Sequence, residues 1–325
     1  MTRLNQKLLF ILLLCFAVSC SSQDYEKVPI NRTDTSNLYI NDGDSQELYY
    51  LKLVPKSRPI KGAVVIFPSG GETVEELIQQ IQLPRMAYEN GVLTLIPSIN
   101  WGTENRIIEI EILDNIFSEI VEKHRVPKEN FVLGGLSNGG LIALTYAEIS
   151  QKEKGQAFLI PKGVFGLDVP LDKAHIYEYC QREIEKNFSE AGVNEARWLL
   201  SIFNQTYGGS PEEFPERYIE ASVYSNGAKN GGNAQYLKNI PIRMYTDLDV
   251  EWLIEERRRD LYDWNGTDIV AMVNDLKMMG NPDASVIISM GEGVRLDGRR
   301  HPHSWSILNS EDCMDWILKR FEEKN

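Results

Sequence analysis

Short continuous apolar runs recur along the chain at Ala63 to Phe67, Val92 to Ile96, Phe131 to Gly135, Gly163 to Gly166, Ile242 to Thr246 and Ser285 to Met290. They read as strands, and the first two as strands buried on both faces. Helical patterns lie between them. Val74 to Tyr88 reads as a helix that Pro84 kinks or breaks. Leu113, Ile116, Phe117, Ile120 and Val121 follow helical spacing up to a stop at Pro127. Asp268 to Met279 reads as a helix capped by Thr267 or Asp268 and closed by Gly280, and a last helix runs from a cap at Ser310 to about Phe321. Strands alternating with helices predict an α/β fold, a mostly parallel sheet flanked by helices. Gln46 to Val54, with only partial alternation, reads as an added antiparallel strand.

One stretch breaks the rhythm. From Asp172 to Ile240 no strand signal appears. Helical pieces at Tyr177 to Phe188 and Asn194 to Phe203 are joined by loops rich in Gly, Pro and Asn. The stretch is too long for a simple connection and reads as a helical cap inserted at about 173–238. Its aromatics, Trp198, Phe203, Tyr207, Phe214 and Tyr218, would form the cap's own core, with one or two lining a pocket.

The N-terminus reads as an address. Arg3 and Lys7 precede an apolar stretch, Leu8 to Val18, that is too short to span a bilayer. It ends in Ala17-Val18-Ser19-Cys20, which resembles the lipobox of bacterial lipoproteins. The resemblance implies a signal peptide over 1–19, a lipid anchor on Cys20, and a place in the bacterial cell envelope, with Ser21 pointing to the outer membrane. An ordinary secretory signal cut near Cys20 is the alternative. A polar tether over 20–40 and a domain over 41–325 follow. Of the four cysteines, Cys180 and Cys313 stay in the mature domain, where two buried free thiols are favoured over a disulfide.

The chemistry centres on Gly135-Leu136-Ser137-Asn138-Gly139, directly after the run Phe131-Val132-Leu133 and before a helical stretch from Leu141 to Glu148. A strand, a sharp glycine turn and a helix lift the serine hydroxyl out of the sheet, the arrangement of a nucleophile elbow. A serine hydroxyl needs a base, a partner to orient the base, and donors for the oxyanion. There are only four histidines. His124 ends a helix and His175 starts the cap. His301 and His303 lie between the last strand and the last helix, where a base facing Ser137 belongs.

Serine, late acid and late histidine in that order resemble the α/β-hydrolase family over about residues 45–325. Gly134 to Gly140 is similar to the elbow of secreted esterases and related peptidases, and His303-Ser304-Trp305 to the histidine loop of some esterase branches. The resemblance implies Ser137 as nucleophile and His303 as base. It implies Asp249 as the orienting acid, a few residues beyond its strand, with Asp247, Asp168 and Asp172 as alternatives. Asp247 would instead brace the loop. The oxyanion donors would be the backbone N–H of Asn138 and a second amide from Pro68-Ser69-Gly70-Gly71, taken as Gly70, with Ser69 and Gly71 open. Here the family's His-Gly pair is replaced by Phe67-Pro68.

The expected activity is that of an exported, lipid-anchored carboxylic ester hydrolase working through an acyl-serine. Its partners would be a small-molecule or glycan ester substrate and the membrane reached by the lipid anchor. A serine peptidase of the same fold and a non-catalytic binding lipoprotein are the rival readings; no β-propeller repeat precedes the catalytic part, which disfavours the gated peptidase architecture. No cofactor is implied. His301 and His303 as a zinc pair are disfavoured because no second His or Cys cluster accompanies them. A net charge of −13 argues against nucleic acid.

Overall fold

A computed structural model describes residues 25–31, 38, 47–101, 106–152 and 156–323 of the chain. The signal segment and Cys20 lie outside the described residues. Eight strands form one sheet in the order β1-β2-β4-β3-β5-β6-β7-β8. They are β1 Glu26–Pro29, β2 Tyr49–Leu53, β3 Gly62–Phe67, β4 Val92–Pro97, β5 Phe131–Leu136, β6 Gly163–Leu167, β7 Ile242–Asp247 and β8 Ala284–Ser289. β2 pairs antiparallel with both β1 and β4; every other pairing is parallel. The expected α/β architecture is therefore present. β1 falls inside the stretch expected to be a loose tether. Its four residues, Glu-Lys-Val-Pro, carry no strand pattern; they pair with β2 and set Glu26 3.0 Å from Lys52, whose side chain is only 7% exposed.

The helices divide between two cores because side chains alternate along each strand. Ala63, Val65 and Phe67 of β3 face one cluster together with helices α3 Arg106–His124, α4 Asn138–Lys152 and α9 Asn265–Met278. Val64 and Ile66 face the other, with α1 Val74–Gln80, α2 Leu83–Glu89 and α10 Ser310–Glu322. Pro84 separates α1 from α2 by standing in the first turn of α2, where its missing N–H costs nothing. α9 begins before the expected cap, with Trp264 at its N-cap, and α10 is capped by Asn309 rather than Ser310.

Between β6 and β7 stand α5 Lys173–Lys186, α6 Glu190–Tyr207, α7 Pro215–Ala221 and a 3-10 segment, Lys229–Leu237. α5, α6 and α7 share a small core of their own, in which Tyr218 packs edge-on against Tyr177 and Phe203. Of the cap aromatics named from sequence, Phe203, Tyr207 and Tyr218 are buried there, while Trp198 stays 45% exposed. A short helix α8, Val250–Trp252, and a wide turn to Arg257 follow β7. Cys180 and Cys313 are both free and buried, Cys180 in the core of the cap and Cys313 in the core under α10.

Candidate functional site

Ser137 sits on the turn from β5 into α4 with φ 55°, a left-handed backbone that an L-residue adopts only under constraint. The constraint is visible in the neighbours. A Cβ on Gly135 would lie 2.7 Å from the Phe67 carbonyl oxygen and 2.6 Å from Gly139 carbon, so the β3 end, the turn and the helix start pack backbone to backbone. The Ser137 amide donates to the Leu167 carbonyl at 2.8 Å, which ties the elbow to the end of β6.

The next residue after that carbonyl is Asp168. It too has positive φ, 41°, and is fully buried. Its Oδ2 lies 2.6 Å from His303 Nδ1. Thr246 Oγ1 donates to its other oxygen at 3.3 Å, and Asn265 Nδ2 donates to its backbone carbonyl at 3.0 Å. His303 is thus held by the acid after β6, with Nε2 left as the nitrogen open to a hydroxyl.

This corrects the expectation for Asp249. Asp249 is buried, but its carboxylate caps α8 by accepting the Trp252 N–H at 3.0 Å, and it forms a two-pronged ion pair with Arg300. The reason is topological. β6 is the immediate neighbour of β5, and β7 is one strand further out. A residue one step beyond β6 stands beside the elbow, whereas a residue two steps beyond β7 has already turned into α8. Asp247 accepts the amides of Gly291 and Gly293 at 2.6 and 2.8 Å and braces the loop after β8. Asp172 caps α5 and accepts the Asn226 amide at 2.7 Å; burial raises its pKa despite those bonds.

Ser137, Asn138, Gly70 and His303 line one cavity of about 380 Å³ between the strand ends and the cap. Four of the chain's six tryptophans, Trp101, Trp198, Trp252 and Trp264, also line it, and such apolar walls strengthen any charge interaction inside. Trp101 and Trp198 approach to 5.3 Å, joining core to cap. A Cβ on Gly70 would lie 3.7 Å from the Asn138 side chain, so the two glycine-turn walls face each other closely.

Glu72 is a functional candidate that sequence reading missed. Its carboxylate accepts the Ser69 amide at 2.8 Å and the Trp305 indole N–H at 2.9 Å, linking the loop before α1 to the histidine loop. The Ser69 amide is thereby occupied. Burial raises the Glu72 pKa, partly offset by the Ser69, Trp305 and Gln80 hydrogen bonds. The signal lay in Trp305, whose buried N–H needs an acceptor. His301 does not join His303 on the acid. Its Nδ1 accepts the His303 N–H at 3.1 Å, Arg295 Nη2 stands 3.0 Å from its Nε2, and the Trp252 ring lies 4.5 Å away. Burial, Arg295, His303 and Arg257 together push its pKa down to about 3. Among the described residues no group of three or more His, Cys, Asp or Glu side chains is placed to hold a metal ion.

A second histidine–carboxylate pair was also missed: His175 Nδ1 lies 2.7 Å from Asp268 Oδ2, joining the start of α5 to α9.

No protein-family profile matches the chain, and no curated protein resembles it in sequence. Solved structures do resemble it in fold. An acylaminoacyl peptidase from Pyrococcus horikoshii superposes with a TM-score of 0.56 at 13% identity over 93% of this chain, which spans 42% of the peptidase. Carboxyl esterase 2 from Tuber melanosporum gives 0.55 at 15% identity, covering 93% of this chain and 88% of the esterase. An S-formylglutathione hydrolase from Agrobacterium tumefaciens gives 0.52 at 14% identity, over 85% and 90% of the two chains. At such identities the likeness is one of fold, and the fold is that of the α/β-hydrolases.

Proposed function

We propose that the protein is a serine hydrolase that cleaves carboxylic esters through an acyl-serine intermediate. The observation that carries this reading is the 2.6 Å contact between Asp168 and His303 in the cavity that Ser137 lines from its left-handed turn. In the mechanism, His303 Nε2 removes the Ser137 proton as Oγ attacks the ester carbonyl. The carbonyl π pair moves onto oxygen, and the Asn138 and Gly70 amides receive the oxyanion; Gly71 is the alternative second donor. Asp168 holds the imidazole tautomer and stabilises the imidazolium. Collapse breaks the bond to the alcohol oxygen, which takes the proton from His303. Water, deprotonated by His303, then releases the acid and restores Ser137.

Esters are favoured over peptides because cap residues Trp198, Leu199 and Phe203 line the cavity beside Ser137 and its volume of about 380 Å³ suits a small substrate. The test is labelling by a fluorophosphonate probe together with hydrolysis of 4-nitrophenyl acetate. Labelling lost in Ser137→Ala supports the reading, and an unlabelled wild-type protein overturns it. An aminoacyl nitroanilide turned over faster than the acetate would move the assignment to peptidase.

The same proposal places the protein in the bacterial cell envelope, anchored by lipid on Cys20, on the strength of Ala17-Val18-Ser19-Cys20 alone. Cys20→Ala is expected to free the protein from the membrane fraction or block its processing. Unchanged membrane association and maturation would reject the anchor.

A further inference from the structure

The charge around the cavity runs against the charge of the chain. The protein carries −13 overall, yet the cavity wall presents Lys173, Arg257, Arg259 and Arg295 against Glu195 and Asp263. Several of these are already matched. Arg259 donates to Glu183 at 2.7 Å, and Asp263 is held by Arg182 at 2.7 Å and Lys186 at 3.0 Å. Lys173 Nζ donates to the Tyr207 hydroxyl at 2.9 Å.

Arg257 and Arg295 are different. Among the described residues, neither has a carboxylate within ion-pair distance. Arg257 donates to the Ser189 hydroxyl at 2.7 Å and lies 5.6 Å from the Trp252 ring centre. Arg295 lies against His301, two residues from His303. Burial and the charges of Arg299 and Arg257 lower the Arg295 pKa, and Glu195 and Asp297 offset this only in part. Two cations held on one wall of a tryptophan-lined cavity repel each other, and an anion between them removes that cost.

Resting on the hydrolase reading above, we infer that the natural ester carries an anionic group, a carboxylate, which Arg257 and Arg295 receive on the His301 side of the cavity. Guanidinium forks match carboxylate geometry and discriminate against neutral analogues that leave them unpaired. The ester bond then lies between the anion and Ser137, so the acid or the alcohol released carries the charge.

Two pairs of esters test this. 4-Nitrophenyl hydrogen glutarate is compared with its methyl ester, and 3-acetoxybenzoate with methyl 3-acetoxybenzoate. At least one anionic member is expected to exceed its neutral partner in kcat/KM by about tenfold or more. That ratio should fall to near one in the double variant Arg257→Met, Arg295→Met and survive in part in Arg257→Lys. Measuring the ratio within each variant cancels general damage, and the single lysine variant decides the matter if the double variant does not fold. Calorimetry on Ser137→Ala protein with glutarate and with 3-hydroxybenzoate supplies a readout independent of turnover. Binding of one of them should weaken as salt rises from about 20 to 500 mM. A fluorophosphonate-reactive enzyme with no anionic preference overturns this inference and leaves the hydrolase reading intact. A protein whose Ser137 does not react overturns the hydrolase reading, and anion binding then stands or falls on calorimetry alone; no binding of either anion rejects it.

Discussion

Two histidine–carboxylate pairs stand in this molecule with nearly the same geometry. His303 meets Asp168 at 2.6 Å, and His175 meets Asp268 at 2.7 Å, each through Nδ1. Their surroundings differ. His303 is 24% exposed and opens on the cavity with Ser137. His175 is 10% exposed, with the Tyr262 ring 4.7 Å away, and its Nε2 has no hydrogen-bond partner among the described residues. The lesson is that an oriented imidazole becomes a base only when its second nitrogen meets a reactant. Without one, the same pair fastens the cap to the body.

The comparison breaks most sharply at the serine. Ser137→Ala should lower 4-nitrophenyl acetate turnover by about 10⁴–10⁶; a variant near wild type would leave His303 no more catalytic than His175. Asp168→Asn follows, with a loss of roughly 10⁴ because the imidazole then takes the wrong tautomer. Asp249→Asn should stay within about tenfold, since it severs Arg300 and the α8 cap rather than His303. Steady-state kinetics on both variants, with circular dichroism to check folding, decides between the acids, and a reversed ranking would restore Asp249. A smaller effect is expected from Glu72→Gln, about 10–100-fold in kcat, since the oxyanion loop loses its brace while its own amides remain. Burst titration of active sites would show whether the loss lies in acylation.

His175→Gln should leave turnover within about twofold while costing about 1–3 kcal/mol of stability. Burial alone would lower the His175 pKa, but the hydrogen bond and charge of Asp268, with Asp172 behind them and Arg182 opposing, raise it overall. A histidine whose folded pKa is raised contributes stability that is complete below its unfolded value, about 6.5, and fades as pH climbs through the folded value. The gap in melting temperature between wild type and His175→Gln should therefore be wide at pH 6 and narrow at pH 9. A gap independent of pH would mean that the pair holds the cap without charge.

Much of this was legible in the chain. The strand runs, the break at Pro84, the helices between Asp172 and Ile240 and the glycine turn at Ser137 are local patterns, and local patterns survive in sequence. What was not legible depends on who stands beside whom. Asp249 was chosen by distance beyond a strand end, but the order β5-β6-β7 decides which strand end faces the serine, and that order is invisible without pairing. The start of α9 was misplaced for a related reason. Asp268 looked like a cap, but its side chain turns to His175, and Asn265, three residues earlier, reaches Asp168. β1 escaped because its strand character comes from its partner rather than from its own residues. Arg300 lies in the very loop that supplies His303, yet nothing in its spacing named Asp249 as its counter-ion.

The Glu72 bridge has a consequence for the order of events during synthesis. Trp305 stands 233 residues after Glu72, and His303 stands 135 after Asp168. The Ser137 turn and the Ser69-Gly70-Gly71 loop emerge in the first half of the chain, but they lack His303 and the Trp305 contact until the last segment has arrived and docked. On the proposed hydrolase reading, a growing or partly threaded chain would carry an inert serine, and activity would begin only with completed folding, slowed by the long loops that these contacts must close.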